Sequence, residues 1–119
     1  MQYDPMIPIW LQVANRLKGQ IVTGGIPPGA KLPGGRELAV RFEINPNTAA
    51  RVYQELEREG LCETRRGLGT FATAEEARIQ TLREEMARDA TARFLQSLKA
   101  LGMTRKDAMR MLEAKEEED

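Results

Sequence analysis

The segment from Ile44 to Gly60, INPNTAARVYQELEREG, places the strongest constraint on how this chain can fold. Asn45 is a favourable N-cap, and Pro46 suits the first helical position because an N–H there has no partner within the helix. The following residues predict an amphipathic helix, since apolar or aromatic side chains recur at helical spacing: Ala49, Val52, Tyr53 and Leu56. The polar start has two interpretations. It is a helix cap and nothing more, or it is the end of a helix that enters a DNA groove.

Two helices are predicted before this segment and a hairpin after it. Pro8 opens the first helix, which ends at Gly24-Gly25 and carries a stripe of Trp10, Val13, Leu17 and Ile21. The second helix runs from about Gly35 to Glu43 and carries Leu38, Ala39 and Phe42. After Gly60 the apolar period changes, which predicts strands at 61–65 and 70–73. Three helices followed by a hairpin is the order of a winged helix-turn-helix, so the predicted fold is mainly α with a small β-hairpin.

The turn of the predicted hairpin is basic and rich in glycine. Arg65 and Arg66 stand beside Gly67 and Gly69, so the chain can turn tightly and bring guanidinium groups and backbone N–H groups against a phosphate or a groove edge. The alternative is a charged hairpin tip that is only solvated. Because the hairpin follows a helix-turn-helix, the DNA interpretation is favoured.

The remaining residues, 74–119, predict two helices. Thr73 and Glu76 have the spacing of a capping box that opens a long helix, and Gly102 ends it. Thr104 and Asp107 open a second, shorter helix. Apolar residues of the two helices are predicted to form a homodimer contact, because two helices are too few to enclose a ligand pocket and their apolar stripes need a partner. Those residues are Ile79, Leu82, Met86, Ala90, Phe94, Leu98, Met111 and Leu112. The alternative is that the stripe folds back on the chain's own core. The predicted domains are therefore 1–73 and 74–119.

Composition excludes several other classes of protein. The 119 residues hold 18 basic and 18 acidic side chains, but residues 1–73 hold 9 against 7 and residues 74–119 hold 9 against 11, so the basic surplus lies with the predicted helix-turn-helix. There is no histidine, and Cys62 is the only cysteine, which argues against a metal site, a disulfide and the usual general base. We expect no enzyme activity, no cofactor and no metal. No apolar run is long enough to span a membrane and no export signal is visible, so a cytoplasmic location is expected.

Residues 24–71, GGIPPGAKLPGGRELAVRFEINPNTAARVYQELEREGLCETRRGLGTF, resemble the DNA-binding domain of the GntR family of bacterial transcription regulators. The Asn-Pro-Asn-Thr entry to the third helix, the first-helix sequence PIWLQVANRLKGQIVTG and the short tail resemble the YtrA subfamily in particular. Several elements match in order and spacing. The resemblance is strong over about residues 6–73 and weak in the tail.

The resemblance implies roles for individual residues. Arg36 matches the second-helix arginine that family members bring to DNA, and Thr48 matches a third-helix position near phosphate and base edges, with Asn45, Asn47 and Arg51 as its polar neighbours. Gly67 and Gly69 match the glycines of the hairpin, or wing. The family often has arginine where this chain has Pro46 and Ala50, serine in place of Gly34, and a basic residue in place of Leu68, so the base contacts of other members do not transfer directly.

Together these features predict a homodimeric winged-helix repressor that binds a palindromic operator in double-stranded DNA. Arg36, Asn47, Thr48 and Arg51 are expected to touch bases or adjacent phosphates, whereas Lys31, Arg65 and Arg66 are expected mainly to position the protein. The alternative from another class is a winged-helix protein-interaction module that does not bind DNA. An enzyme is disfavoured, because the sequence contains no nucleophile-base pair, phosphate loop or metal constellation.

Overall fold

The computed structural model describes residues 2–118, with the side chains of residues 2–115. It contains five helices and one hairpin in this range: α1 (Ile9–Thr23), α2 (Gly35–Phe42), α3 (Pro46–Arg58), β1 (Cys62–Arg65), β2 (Gly69–Ala72), α4 (Glu76–Ala100) and α5 (Arg105–Glu118). The predicted fold class is confirmed. The chain divides into two compact units, residues 1–82 and 83–119. No helix in the described part is both long and apolar enough to cross a membrane.

The first helix of the first unit begins and ends where the sequence predicts. Pro8 precedes the first turn of α1, and Gly24 ends the helix in the left-handed conformation, with φ at 84°. The predicted stripe faces inward in most of its length, because Val13, Leu17 and Ile21 are buried. Trp10, in the first turn of the helix, is only partly buried.

The second helix starts without a side-chain cap. Gly34 is the N-cap of α2, with an extended backbone at φ −62° and ψ 162°, and no side chain caps the first turn. Leu38 and Ala39 are buried, and Glu43, the C-cap that follows Phe42, adopts the left-handed conformation. The N–H of Ile44 then donates to the carbonyl of Ala39, which closes the turn before α3.

The start of the third helix confirms the predicted cap. Asn45 Oδ1 accepts from the N–H of Asn47 at 2.7 Å, and Pro46 occupies the first helical position. The inward face of α3 is closely packed, since Ala49, Val52 and Leu56 are completely buried. Tyr53 lies at the edge of this face and donates its hydroxyl to the carbonyl of Pro33, which ties α3 to the segment before α2. Burial raises the pKa of Tyr53, so the phenol remains a donor at neutral pH.

The two predicted strands form an antiparallel hairpin, and a third segment joins it. Cys62 lies opposite Ala72 and Arg65 opposite Gly69. The N–H of Leu32 donates to the carbonyl of Thr70, and the N–H of Ala72 donates to the carbonyl of Ala30, both at 2.8 Å. Residues 30–32 therefore line the outer edge of β2, a pairing that the sequence analysis missed.

The start of α4 corrects two predictions. Thr73 Oγ1 accepts from the N–H of Glu75 and not from that of Glu76, and α4 begins only at Glu76, so the predicted capping box is wrong. Ile79 and Leu82 are buried, at 4% and 1% exposure, and the first unit extends to Leu82. Arg78 Nε also donates to the carbonyl of Glu59 at 2.9 Å. The first turns of α4 thus belong to the winged-helix unit, and the predicted boundary after Thr73 is too early.

The second unit contains the rest of α4 together with α5. α5 begins after Thr104, as predicted, and a capping box forms there: Asp107 Oδ2 accepts from the N–H of Thr104 at 2.7 Å, and Thr104 Oγ1 accepts from the N–H of Asp107 at 3.2 Å. Leu98 and Ala108 are buried. Large apolar side chains remain exposed along this unit: Phe94, Leu101, Met109, Met111 and Leu112.

Candidate nucleic-acid interface

The outward face of α3 presents polar side chains at its N-terminal end. Asn47 and Arg51 are exposed, and Thr48 is partly buried beside them. The first N–H groups of a helix carry partial positive charge, so this end attracts phosphate. Asn45 has a structural role here, because its side-chain oxygen already accepts from Asn47 and only its amide NH₂ is left for DNA. We therefore regard Asn45 mainly as the cap that orients the others.

The side chain of Arg51 is held by an aromatic ring of α1. Its guanidinium carbon lies 4.4 Å from the centroid of the Trp10 ring, within the range of a cation–π contact. Nothing in the sequence pattern links these two residues, which are far apart in the chain, and the sequence analysis placed Trp10 only in the core stripe. An arginine that stacks on a ring through the face of its guanidinium group keeps its N–H edge available for hydrogen bonds.

Arginines of α2 differ in how they are engaged. Arg36, at the second position of the helix, is exposed and makes no ion pair within the described residues. Arg41 instead pairs with Glu37 one turn earlier, at 2.8 Å. Arg36 is therefore the arginine of α2 that can pair with an external anion.

The two wing arginines are not equivalent. Arg65 pairs with Glu63 at 2.7 Å, and its guanidinium carbon lies 4.4 Å from the centroid of the Phe71 ring. Arg66 is exposed at the tip and forms no ion pair within the described part of the chain. Gly67 completes the turn with φ at 77°, a conformation that favours glycine. Arg66 is thus the freer of the two for a phosphate, while Arg65 stabilises the wing.

Lys31 lies against the wing because residue 69 is glycine. A Cβ atom at Gly69 would lie 2.8 Å from Cε of Lys31, and the φ of Gly69 is 121°. Lys31 is also paired with Phe71 as an isolated bridge at the edge of β2. The sequence placed Lys31 and the wing glycines separately on the interface, and the structure brings them together.

Other chemistry is not supported by the titratable groups. Burial raises the pKa of the Cys62 thiol to about 12, so it is not a thiolate at neutral pH. Among the described side chains, those of residues 2–115, no group of three or more His, Cys, Asp or Glu residues is arranged to hold a metal ion. Exposed basic and amide side chains at α2, α3 and the wing are the polar features that stand out in the first unit.

These features define a class: a winged helix-turn-helix with basic groups on its second helix, its third helix and its wing. The model of the GntR family of bacterial regulatory proteins matches residues 10–72. The chain therefore belongs to the GntR family, and it is a DNA-binding transcription regulator.

Three known proteins are similar to this chain in sequence or in structure. The HTH-type transcriptional repressor YtrA of Bacillus subtilis (strain 168) is 39% identical over 94 residues, which is 72% of each chain. A GntR family transcriptional regulator from Listeria monocytogenes superposes with a TM-score of 0.86 at 33% identity, and the match covers 94% of this chain and 98% of that one. The AraR DNA-binding domain in complex with operator ORR3 superposes with a TM-score of 0.55 at 29% identity, covering 61% and 88%. The similarity to YtrA is consistent with the predicted subfamily.

Proposed function

We propose that the protein is a homodimeric repressor that binds a palindromic operator, with the N-terminal end of α3 in the major groove and the wing on the flanking DNA. The single observation that carries this proposal is the exposed polar end of α3, where Asn47 and Arg51 project beyond a completely buried inner face. The AraR domain, a structural neighbour, forms a complex with operator ORR3, which supports the same use of the winged unit here.

Base contacts are assigned to the outward residues of α3. Arg51 can donate two hydrogen bonds to guanine O6 and N7, and Asn47 can pair with the N6 and N7 atoms of adenine. Thr48 is partly buried and has a short side chain, so it is assigned to an adjacent phosphate and not to a base. Arg36 at the start of α2 is assigned to a phosphate or a base edge.

Positioning contacts are assigned to the wing and the segment beside it. Lys31 and Arg66 supply exposed cations for the flanking phosphates, and the backbone N–H groups around Gly67 can approach the DNA closely. Arg65 is assigned a smaller part in binding phosphate than the sequence suggested, because its charge is already paired with Glu63. Leu68, exposed at the tip, adds an apolar contact without charge.

Dimerisation is assigned to the second unit, with a corrected set of residues. Ile79, Leu82 and Leu98 are buried in the single chain, so they stabilise the protomer and are not free to contact a partner. Met86 is partly buried, whereas Ala90 is exposed. The surface proposed to meet the second protomer consists of the exposed members of the predicted set: Ala90, Phe94, Met111 and Leu112. A symmetric dimer places two recognition helices on the two half-sites of a palindrome.

Repression is proposed because YtrA, which matches most of this chain, is named a transcriptional repressor. A dimer bound over a promoter blocks access to that DNA without needing a further domain. The alternative function, a winged-helix protein-interaction module, would require an acidic protein partner to meet the exposed Arg36, Arg51 and Arg66.

Salt-dependent binding separates these two functions. Three phosphate-directed cations in each protomer, Lys31, Arg36 and Arg66, correspond to about six phosphates per dimer, so the logarithm of the binding constant should fall with the logarithm of salt concentration at a slope of about −5. Fluorescence anisotropy of labelled genomic fragments, titrated over a range of salt concentrations, measures this slope. A protein that shows no binding to any fragment at low salt would favour the interaction module.

A further inference from the structure

Trp10 holds a position that core packing alone does not explain. It lies in the first turn of α1, and the residues that fill the core below it, Val13, Ala14 and Leu17, are buried, while the indole ring itself stays partly exposed. One face of the ring is covered by a charged group, the guanidinium of Arg51, at 4.4 Å from the centroid. The ring therefore contacts the proposed base-reading residue.

A second contact, further along α1, also joins this helix to the end of α3. Lys18 Nζ lies 3.0 Å from Glu59 Oε2, and their side chains are only 13% and 29% exposed. This partly buried ion pair joins α1 to the residue that ends α3. Because α1 contacts α3 at two separate positions, Trp10 and Lys18, the indole is a firmly held platform for the arginine, in contrast to a side chain on a mobile loop.

We propose that Trp10 is a positioning residue for DNA recognition, which stacks on Arg51 and thereby sets the base that Arg51 reads. The inference rests on the proposed function, because it requires α3 to enter the major groove. Stacking occupies the face of the guanidinium plane, so both edge N–H groups remain free to pair with guanine O6 and N7. An arginine that is already ordered also loses less side-chain freedom on binding.

The consequence concerns specificity more than affinity. An arginine without the ring can reach a phosphate or a neighbouring base, and these contacts carry little sequence information. Removing the ring should therefore reduce discrimination at the operator position that Arg51 reads, while binding to unrelated DNA stays nearly the same. Loss of a partly exposed cation–π contact predicts about three- to tenfold weaker binding to the preferred site.

The test uses the full-length chain and the DNA sequence that the wild type selects from a random pool. Trp10→Leu removes the aromatic face, Trp10→Phe keeps one, and each is combined with Arg51→Ala in a double-mutant cycle. Ile9→Ala is the matched control, because it removes apolar surface from the same end of α1 and no ring. Affinities for the selected site, and for that site with the Arg51-dependent base pair replaced, are measured by anisotropy at one salt concentration.

We expect Trp10→Leu to lower the affinity ratio between the two sites about three- to tenfold, Trp10→Phe to restore most of it, and Ile9→Ala to leave it unchanged. Combined with Arg51→Ala, the loss caused by Trp10→Leu should vanish. Unchanged discrimination in Trp10→Leu would overturn the inference alone, and so would losses that add independently. Failure of the wild type to select any sequence would overturn the proposed function and this inference with it.

A second measurement does not depend on how well a Trp10 variant folds. Trp10 is the only tryptophan in the chain, so intrinsic fluorescence reports directly on this ring. We expect Arg51→Ala to change the emission and the acrylamide quenching of the free protein. Arg88→Ala removes the same charge from an exposed position of the second unit and should change neither. Identical fluorescence in the wild type and Arg51→Ala would show that the stacked contact does not form and would overturn the inference.

Discussion

Phe94→Glu should dissociate the proposed dimer. Phe94 is 38% exposed in the single chain, and a phenylalanine offers about 200 Å² in total, so roughly 75 Å² per protomer is available to a partner. Burying that area in both protomers at about 25 cal/mol per Å² corresponds to about 4 kcal/mol. Only part of this burial free energy appears in the affinity of a dimer, but the glutamate carboxylate adds a desolvation penalty. We therefore expect the dimer dissociation constant to rise about 100- to 1,000-fold.

The assay is size-exclusion chromatography with light scattering across the micromolar range, on the intact chain. Gln96→Glu is the matched control: Gln96 is exposed, lies two residues further along α4 and therefore faces away from Phe94, and it introduces the same charge. Helical circular dichroism and melting temperature check that Phe94→Glu still folds. A folded Phe94→Glu protein with the mass of a dimer, or a wild type that is monomeric throughout this range, would remove the second unit from the interface.

The other predictions concern stability, DNA contacts and pH. Gly34→Ser adds a cap oxygen at an extended backbone position with no heavy atom within 4 Å of the new Cβ, so the free energy of unfolding should rise by about 0.5 kcal/mol. Gly34→Ala adds no cap oxygen, so its melting temperature should fall below that of the wild type. A destabilised Gly34→Ser protein would refute the capping argument. Arg51→Ala should lose about 1–3 kcal/mol on the selected site and relax one base position, whereas Arg66→Ala should weaken all sequences alike and make the salt slope shallower by about one unit; equal losses on every sequence for both variants would remove Arg51 from base readout. Hydrogen bonds from the backbone N–H and hydroxyl of Thr104 lower the pKa of Asp107 below its ordinary 3.8. The cap therefore stabilises the fold at pH values above the ordinary pKa, and this stabilisation is lost as pH falls through the lowered pKa of the folded state. NMR amide shifts of the first turn of α5 should follow this titration in the wild type and not in Asp107→Asn, and a titration with the ordinary pKa would contradict the cap.

Local signals in the sequence predicted local structure well. Asn45 and Pro46 mark the start of α3 because capping depends on a few adjacent residues, and the Thr104–Asp107 box marks α5 for the same reason. The apolar spacing also predicted the buried face of α3, including Val52. Winged-helix order follows from these elements because few folds place a hairpin directly after three short helices.

Contacts between distant parts of the chain could not be predicted in this way. The pairing of residues 30–32 with β2, and the stack of Arg51 on Trp10, join segments that have no fixed spacing in the sequence. The first turns of α4 were misassigned because Leu82 has the same helical spacing whether it packs on its own domain or on a second protomer. Periodicity shows which face of a helix is apolar, but it does not show what covers that face.

The central claim, that α3 of a symmetric dimer reads DNA, is tested most directly by selecting bound sequences from random double-stranded DNA with the full-length protein. The account predicts an enriched site with two inverted half-sites whose centres lie about one helical turn apart, or a multiple of it. Repeating the selection with Arg51→Ala should erase one position in each half-site and keep the spacing. Enrichment of no sequence, or of a single half-site without a symmetric partner, would contradict the account.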